Sequence, residues 1–530
     1  MALDFTSALK RSLRNTIAHG DTDVFPFPFE KNLFADKPDE CIALLNGWHK
    51  DFQKSVATNP PSTVSALCQV GYSGFRQVTQ IDPFWNAYYL ALVIQIAQEI
   101  ENLRLSTDDN KVFSYRFLNG SSDSLFHKLT WFDYRTRAVE LAECHEYVVL
   151  TDISDFYPRV NHHRLDNALA RLPKATSISH EILCLLSNFS HRQSYGLPVG
   201  GPASRLLSEL ALVDVDRSLR SAGVDFCRYA DDYTLFCSSH SHALKTLVDL
   251  TQALALEGLS LQKQKTKVMH KTEFIQMNAH LDPKPSGTME QKLLGLSLKY
   301  DPYSPTAEED YVALKAAVAD IDIVGILMNE VAKTTINQTL MRQALSALRA
   351  LELDKKELAL SVILAPENTH VLSPVFPQVM RMVRGIYDEL NDAGKETVDE
   401  NLLSLVEESS HVLSVEINRL FLVQLLSRRQ SDEKERALIA LYNQHENQVL
   451  RRMIIHALAN WDCGYFVKGE LEKFSNVSPW MRRAMIVSSY PLEDYGKYWR
   501  LQKKNTFNEV ETLLRDWASE RKLNGRAIPV

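Results

Sequence analysis

The apolar positions of the chain follow different patterns in its two halves. Up to about residue 300, short apolar runs typical of strands alternate with helical patterns, the longest of which covers residues 81–105. A further strand-like run covers residues 111–118. Beyond residue 300, apolar positions recur at helical spacing almost to the C-terminus. The pattern therefore predicts an α+β region followed by an all-α region.

Two of the predicted strand segments end in carboxylates. A continuous apolar run, EYVVLT, ends at Asp152, which indicates a buried strand. Residues 226–237 form two short strands rich in aromatic and apolar residues, joined by a tight turn that carries Asp231 and Asp232. Because adjacent carboxylates repel each other, such a site needs a compensating cation. Aspartate is also common in turns, so the pair alone leaves that simpler interpretation open.

Three acids from two strand ends predict a metal site. They can bind two divalent ions about 4 Å apart, the arrangement that stabilises attacking and leaving oxygens in phosphoryl transfer. Magnesium is the natural candidate, because it usually binds through one or two carboxylates plus substrate phosphates. Tyr157 follows five positions after Asp152, and its ring is expected to collide with the 2′-hydroxyl of a ribonucleotide. The alternative is that Tyr157 belongs to the core.

Several segments between about residues 60 and 300 resemble, in family order, the fingers and palm of a reverse transcriptase. The similar segments are, along the chain, SYRF at 114–117, DISDFY at 152–157, GLPVGGPASRLLSEL at 196–210, YADD at 229–232, the stretch 258–267, and Leu294-Gly295-Leu296 at the place of the primer-gripping hairpin. This ordered set predicts a polymerase fold and an active site on the palm.

The resemblance implies a role for individual residues. The catalytic residues would be Asp152, Asp231 and Asp232, and the metal site would comprise Asp152, Ile153, Asp231 and Asp232. The cofactor would be Mg²⁺, with Mn²⁺ as an alternative. The nucleotide-binding residues would be Arg116, Tyr157, Gly196, Pro198, Val199, Gly200 and Lys265.

Alternatives stay open for the nucleotide-binding residues. Arg116 suits a phosphate, but a surface arginine is also expected there. Lys265 could neutralise a departing pyrophosphate, or the run KQKTK could be a solvated charged face. The Gly-Pro turn at residues 196–201 admits a ligand close to the backbone, or it is an ordinary loop before a helix.

Two details of the motifs complete the predicted site. Val199 stands where the family has a glutamine that helps to check base pairing, and valine has no donor or acceptor, which argues against strict template copying. His162 and His163 open a predicted helix, so we expect surface histidines and no metal site there.

The second half of the chain is too long for the short helical thumb of an ordinary reverse transcriptase. Helical patterns joined by a few residues extend from about residue 307 to 521, after a Pro/Tyr/Asp linker at 300–305. The predicted domains are residues 1–60, an N-terminal helical extension; 61–300, reverse-transcriptase-like fingers and palm; and 301–530, an α-helical repeat domain. The predicted fold class is α+β, with an antiparallel palm sheet and helices, followed by an all-α, HEAT-like C-terminal domain.

A palm followed by a long helical tail resembles the abortive-infection (Abi) polymerases of bacterial phage defence, most of all the prophage-borne Abi type. That resemblance implies template-independent DNA synthesis from dNTPs, single-stranded DNA covalently attached to the protein as product, homo-oligomers and cell suicide on infection by phage. The first tyrosine of the chain is Tyr72, so the priming residue stays unassigned. Two alternatives stay open: a reverse transcriptase that copies a dedicated RNA, and a helical interaction scaffold over an inactive palm.

The composition of the chain limits the partners and the cellular compartment that we expect. The net charge of −7 requires that nucleic acid bind in local basic grooves. The sequence has no run of about 18 apolar residues, so we expect no membrane span. The seven cysteines form no Cys-x-x-Cys pair, and the N-terminus lacks a signal-peptide pattern, so a cytoplasmic protein with reduced thiols is expected.

Overall fold

The computed structural model describes residues 4–120, 122–278, 288–296, 315–408 and 410–528. The chain divides into two compact units, one formed by Met1–Val64 with Thr79–Leu281 and the other by Ser65–Val78 with Asp282–Val530. The second unit thus includes a short segment from the first part of the chain. The predicted linker at 300–305 lies outside the described residues, and the predicted domain boundaries stay predictions.

The first unit contains a four-stranded antiparallel sheet. Its strands are β3 (Tyr147–Asp152), β4 (Asp225–Tyr229), β5 (Asp232–Cys237) and β6 (Lys267–His270), in the order β4-β5-β3-β6. Strands β1 (Thr63–Val70) and β2 (Gly74–Ile81) form a separate two-stranded sheet. Strand β3 lies between two neighbouring strands, and Val148 and Val149, whose side chains point to opposite faces of the sheet, are both buried.

Helices cover the four-stranded sheet. Tyr134 and Ala138 from helix Trp131–Glu143 pack with Val148, Phe236 and Met269 in one apolar cluster. Helix His240–Leu256 packs against β3 and β5. The α-helices of this unit are Phe5–His19, Glu30–Asp36, Pro38–Lys50, Phe52–Thr58, Pro83–Leu103, Trp131–Glu143, Phe156–Arg159, His162–Leu169, Ser179–Phe189, Pro202–Ala211, Val213–Ser221, His240–Leu256 and Lys271–Met277.

Helix Pro83–Leu103 is buried along most of its length, because the helices that begin at Phe5 and Pro202 pack against it. A helix that is apolar on nearly all sides has to be buried in this way. It connects the N-terminal helices to the helix that follows the Gly-Pro turn, so the turn is backed by the largest apolar element of the unit.

Apart from the β1–β2 segment, the described part of the second unit is helical, as the sequence pattern beyond residue 300 predicts. Alternate helices pack in a row, from Phe376–Ile386 through Glu416–Leu426, Gln448–Asn460 and Pro479–Ser488 to Glu509–Leu523. A HEAT-like repeat type stays a prediction. Among the residues that the structure describes, the α-helices of this unit include Met289–Gly295, Ile323–Val331, Gln338–Ala347, Leu353–Ile363, Pro366–Leu372, Phe376–Ile386, Asp392–Glu407, Glu416–Leu426, Asp432–Gln444, Gln448–Asn460, Gly464–Glu472, Pro479–Ser488, Glu493–Lys503 and Glu509–Leu523.

The β1–β2 turn is attached to these helices by hydrogen bonds. The Tyr72 hydroxyl donates to the main-chain oxygen of Val371 at 2.7 Å and accepts from the main-chain nitrogen of Ile336 at 2.9 Å. The Gln69 side chain donates to the Ser373 hydroxyl at 3.0 Å. These contacts explain why residues 65–78 belong to the second unit.

One local prediction is wrong. The expected strand at 111–118 consists of isolated bridges only, between Val112 and Arg228 and between Phe117 and Phe126, because contacts with other segments outweigh the local pattern. At the place of the expected primer-gripping hairpin, residues 294 and 295 end helix Met289–Gly295, and residues 297–314 lie outside the described part of the chain, so the hairpin stays a prediction. Among the described residues, none of the helices combines the length and the apolar character that a membrane crossing requires.

Candidate active site

The three predicted acids lie together at one end of the sheet. Asp152 is the last residue of β3 and pairs with Asp232, the first residue of β5. The main-chain nitrogen of Ile153 donates to the main-chain oxygen of Asp231 at 3.1 Å, which joins the end of β3 to the β4–β5 turn. One carboxylate oxygen from each aspartate lies within 4.8 Å of the other two. The strand register, therefore, is what assembles the cluster.

The β4–β5 turn is short and locally strained. Only Ala230 and Asp231 separate the paired residues Tyr229 and Asp232. Ala230 has φ of 55°, in the left-handed region that two-residue hairpin loops need and that glycine usually occupies. An alanine in this conformation requires support from its surroundings.

Burial and the neighbouring acids together disfavour the charged form of Asp232. Burial, followed by the charges of Asp231 and Asp152, raises the pKa of Asp232 to about 7, although Lys265 and Arg135 oppose the shift. Carboxylate oxygens in this number suit a hard divalent cation. The cluster could therefore bind a metal ion, and the charge of that ion would relieve the repulsion. The buried main chain of Ile153 runs beside the cluster.

Lys265 is the basic residue in contact with the acids. Its ammonium nitrogen lies 2.8 Å from a carboxylate oxygen of Asp152, while its side chain stays 65% exposed. Burial lowers the pKa of Lys265, but the bond to Asp152 and the neighbouring acids outweigh burial and raise it. The loop that carries Lys265, before β6, is attached to the end of β3, because the main-chain nitrogen of Gln262 donates to the main-chain oxygen of Asp152 at 2.7 Å. The ammonium group of Lys265 therefore lies beside the acid cluster, where it can interact with a negatively charged group.

The Gly-Pro turn is attached to the segment that follows β3. The main-chain nitrogen of Leu197 donates to the main-chain oxygen of Tyr157 at 2.8 Å, and the main-chain nitrogen of Gly196 donates to the main-chain oxygen of Val160 at 2.8 Å. The His162 side chain completes the attachment, with Nε2 2.8 Å from the Gly196 oxygen. The expectation of a surface histidine is therefore wrong for His162, which is buried and has its pKa lowered by burial, while His163 is exposed.

The N-terminal segment at residues 21–24 lies directly against Gly200. Gly200 has φ of 101°, and a Cβ atom built there would lie 2.4 Å from the Thr22 hydroxyl and 2.7 Å from an Asp23 carboxylate oxygen. Arg205, in the following helix, forms an ion pair with Asp23 at 2.6 Å. Pro198 and Val199 line a cavity of about 10 Å³, room for about one water molecule, that Asp21 also lines. The need for glycine at 200 is thus explained by a contact within the chain.

Tyr157 lies among other aromatic and polar groups. Its hydroxyl accepts from the Ser208 hydroxyl at 3.4 Å. Burial and the neighbouring Tyr115 hold the pKa of Tyr157 well above its ordinary value. The Tyr115 ring lies 6.2 Å from the ring of Tyr229, the residue before the turn, and the Arg205 guanidinium lies 5.1 Å above the Tyr115 ring. Tyr157 therefore shares its surroundings with the hairpin that carries the acids.

Arg116 lies in a buried ion pair with Glu101. Its guanidinium is 1% exposed, donates to Glu101 at 2.8 Å and donates to the main-chain oxygen of Val112 at 2.9 Å. Burial and the nearby Arg104 lower its pKa, although Glu101 opposes the shift. A role for Arg116 in triphosphate binding stays a prediction.

Sequence reasoning missed a buried charge network behind the turn. It joins Arg228 of β4 to Glu209 and Asp216, and Glu209 also pairs with Arg104. One feature of the sequence pointed to this network: Arg228 stands between aromatic and apolar residues of a strand, in FCRYADDY. An arginine there is expected to be buried, and a buried charge requires a partner of opposite charge.

Residues 90–298 match the family described as reverse transcriptase (RNA-dependent DNA polymerase). The match includes the three aspartates, Lys265 and the Gly-Pro turn. The chain therefore contains a reverse transcriptase domain, and such a domain indicates nucleotidyltransferase activity of the DNA polymerase class on nucleotide and nucleic acid substrates.

One similar solved structure is the telomerase from Candida albicans in complex with the TWJ fragment of telomeric RNA. It is 12% identical, the match covers 72% of this chain and 70% of that chain, and the TM-score is 0.32. A likeness at this level says nothing further about this chain. No curated protein matches the sequence.

Proposed function

We propose that this protein is a DNA polymerase that acts in the cytoplasm of bacteria in anti-phage defence by abortive infection. It joins dNTPs without a template, starts on a hydroxyl of the protein itself, and works as a homo-oligomer. The observation that carries the polymerase activity is the acid cluster: Asp152, Asp231 and Asp232 each place a carboxylate oxygen within 4.8 Å of the others, inside a reverse transcriptase domain.

The chemistry follows from the residues of the cluster. A hydroxyl oxygen attacks the α-phosphorus of the nucleotide and loses its proton to solvent, the new O–P bond forms as the bond to the β-phosphate breaks, and pyrophosphate leaves. Bound Mg²⁺ would stabilise the charge that develops on the phosphate oxygens. Asp152 and Asp231 would bind the cation, and Asp232, with its raised pKa, would tune the charge of the site. Lys265 supplies positive charge next to Asp152, where the leaving group needs it.

Two features support synthesis without a template. The side chain of Val199 has no donor or acceptor to offer a nucleotide. Gly200, which the resemblance places at the nucleotide, is in contact with Thr22 and Asp23 of the N-terminal segment, which leaves less space for a second strand at this turn. The defence role rests on the resemblance of a palm joined to a long helical region, and the described part of that region is helical.

Purified protein with a single dNTP, Mg²⁺ and no nucleic acid tests the proposal. Intact-mass measurement should show a ladder spaced by one nucleotide, and the labelled product should migrate with protein until protease releases it. The matched control is the variant Asp231→Asn with Asp232→Asn, which should give no ladder. A wild-type protein without a ladder under these conditions would contradict protein-primed synthesis.

The same assay separates the alternatives. Synthesis that requires an added RNA and yields DNA free of protein would identify a templated reverse transcriptase, the activity that the family description itself names. A wild-type protein that is inactive with and without RNA, but binds a partner through its helices, would favour the scaffold. The acids at 152, 231 and 232 argue against the scaffold, because a repulsive cluster has no use there.

A further inference from the structure

Arg228 is the centre of the buried network behind the acid-bearing turn. It is fully buried, and its guanidinium donates to Asp216 at 2.6 and 2.9 Å and to Glu209 at 2.8 Å. The Tyr233 hydroxyl donates to the same Asp216 at 3.0 Å. Burial opposes a charge on Arg228, but Asp216 and Glu209 outweigh it and hold its pKa well above the ordinary value. The guanidinium is therefore permanently charged and fixed in orientation.

One bond leads from this network to the turn. Nη1 of Arg228 donates to the main-chain oxygen of Ala230 at 2.8 Å. Ala230 is the strained residue with φ of 55°, and it directly precedes Asp231. On the other side of the turn, the Asp231 oxygen accepts from the Ile153 nitrogen at 3.1 Å. The two peptide groups that flank the first acid of the turn are thus each held by a hydrogen bond.

We propose that Arg228 is a positioning residue for metal binding: by holding the Ala230 carbonyl, it keeps Asp231 and Asp232 close to Asp152 against their mutual repulsion. This inference rests on the proposed polymerase function for its consequence, since a misplaced carboxylate weakens the binding of the cation that the reaction needs. Groups that orient metal ligands typically change metal affinity or activity by 10–100-fold when they are removed.

The competing explanation is that the network only stabilises the fold. Arg104 offers a matched control, because it is also buried and also pairs with Glu209, at 2.7 Å. Its other bonds go to Glu101, to the Ser114 oxygen at 2.7 Å and to the Tyr115 oxygen at 3.1 Å. Arg104 thus shares the charge partner of Arg228 but makes none of these bonds to the acid-bearing turn.

The test compares Arg228→Lys with Arg104→Lys in the full chain. Lysine keeps the charge in both, but it has too few and differently placed donors to keep all the bonds of Arg228. Mn²⁺ affinity is measured by calorimetry without nucleotide, at a temperature where both variants are folded. We expect a loss of Mn²⁺ affinity of about 10–100-fold in Arg228→Lys and little change in Arg104→Lys. Equal Mn²⁺ affinities in the two variants would overturn the proposal.

Further readouts keep the result unambiguous. If wild-type protein binds Mn²⁺ but joins no dNTP with or without RNA, the proposed function fails while the affinity comparison still decides the role of Arg228. If wild-type protein binds no Mn²⁺, both fail. If Arg228→Lys does not fold, the double variant Arg228→Met with Asp216→Asn replaces it, because it removes the bond to the Ala230 oxygen and neutralises one buried partner at the same time. An unchanged Mn²⁺ affinity in that variant would overturn the proposal.

Discussion

The β4–β5 hairpin touches two clusters of charged groups that are built in opposite ways. At its turn, three carboxylates lie within 4.8 Å of one another with Lys265 as the ammonium partner of Asp152. Behind it, Arg228 and Arg104 are matched by Glu209 and Asp216, all buried. The matched cluster is satisfied within the fold, whereas the acid cluster brings like charges together and favours an added cation. The hairpin thus joins a part that stabilises structure to a part suited to chemistry.

Removing the acids of the turn should give the largest change in activity. In Asp231→Asn with Asp232→Asn, nucleotide incorporation should fall by roughly 10³-fold or more, because the charge stabilisation of the reaction is lost. The matched network is untouched, so circular dichroism and the melting temperature should show an intact fold. Asp225→Asn removes a carboxylate from the other end of β4, where it is exposed, and should keep activity. Comparable activity in the two variants would mean that the turn acids do not form the site.

Breaking the matched network should give the largest change in stability. Glu209→Gln leaves Arg228 and Arg104 short of one buried negative charge, and we expect a loss of about 3–5 kcal/mol in the free energy of unfolding. Urea unfolding followed by fluorescence measures it. As a control, Asp214→Asn removes an exposed partner of Arg171 and should change the midpoint little. If Glu209→Gln is as stable as Asp214→Asn, the network is not a stabilising element.

The smallest expected effect is a gain in stability when Asp232 of the acid cluster is replaced. The pKa of Asp232 is about 7 in the folded protein against an ordinary value of 3.8. Between these values the folded carboxyl keeps a proton that the unfolded chain has lost, so stability falls as the pH rises from 4 to 7 and stays reduced above 7. Asp232→Asn removes this cost and should stabilise the metal-free protein by about 2 kcal/mol at pH 8, but hardly at pH 4.

Thermal unfolding in EDTA at both pH values checks this prediction. Adding Mg²⁺ at pH 8 should raise the melting temperature of the wild-type protein and narrow the difference from Asp232→Asn, because ligand binding stabilises the folded state. A variant that is less stable than wild type at pH 8 without metal would show that the repulsion is already compensated within the fold.

Local pattern was sufficient for the parts of the site that are encoded by neighbouring residues. An apolar run that ends at Asp152 and a tight turn that carries Asp231 and Asp232 are local features, and the structure has them as β3 and the β4–β5 turn. The helical second region is likewise apparent from periodicity. Residues 111–118 show the limit, because a strand-like composition there leads to isolated bridges only.

The missed features all depend on contacts between distant segments. Arg116 pairs with Glu101, and Gly200 is in contact with Thr22 of the N-terminal segment. His162 is buried by the Gly-Pro turn that follows it along the chain. Nothing in the sequence near these residues identifies the partner, so each was open to more than one interpretation.

The sequence by itself determined which residues carry charge, which strands end in an acid and where the chain becomes all helical, because these follow from side-chain chemistry and local period. Only the tertiary structure decided which charges meet. The register of β3 with β5 placed Asp152 opposite Asp232, and the packing of the helix that contains Glu209 gave Arg228 its partners. Electrostatic energy depends on distance, and distance between remote residues is set by the fold.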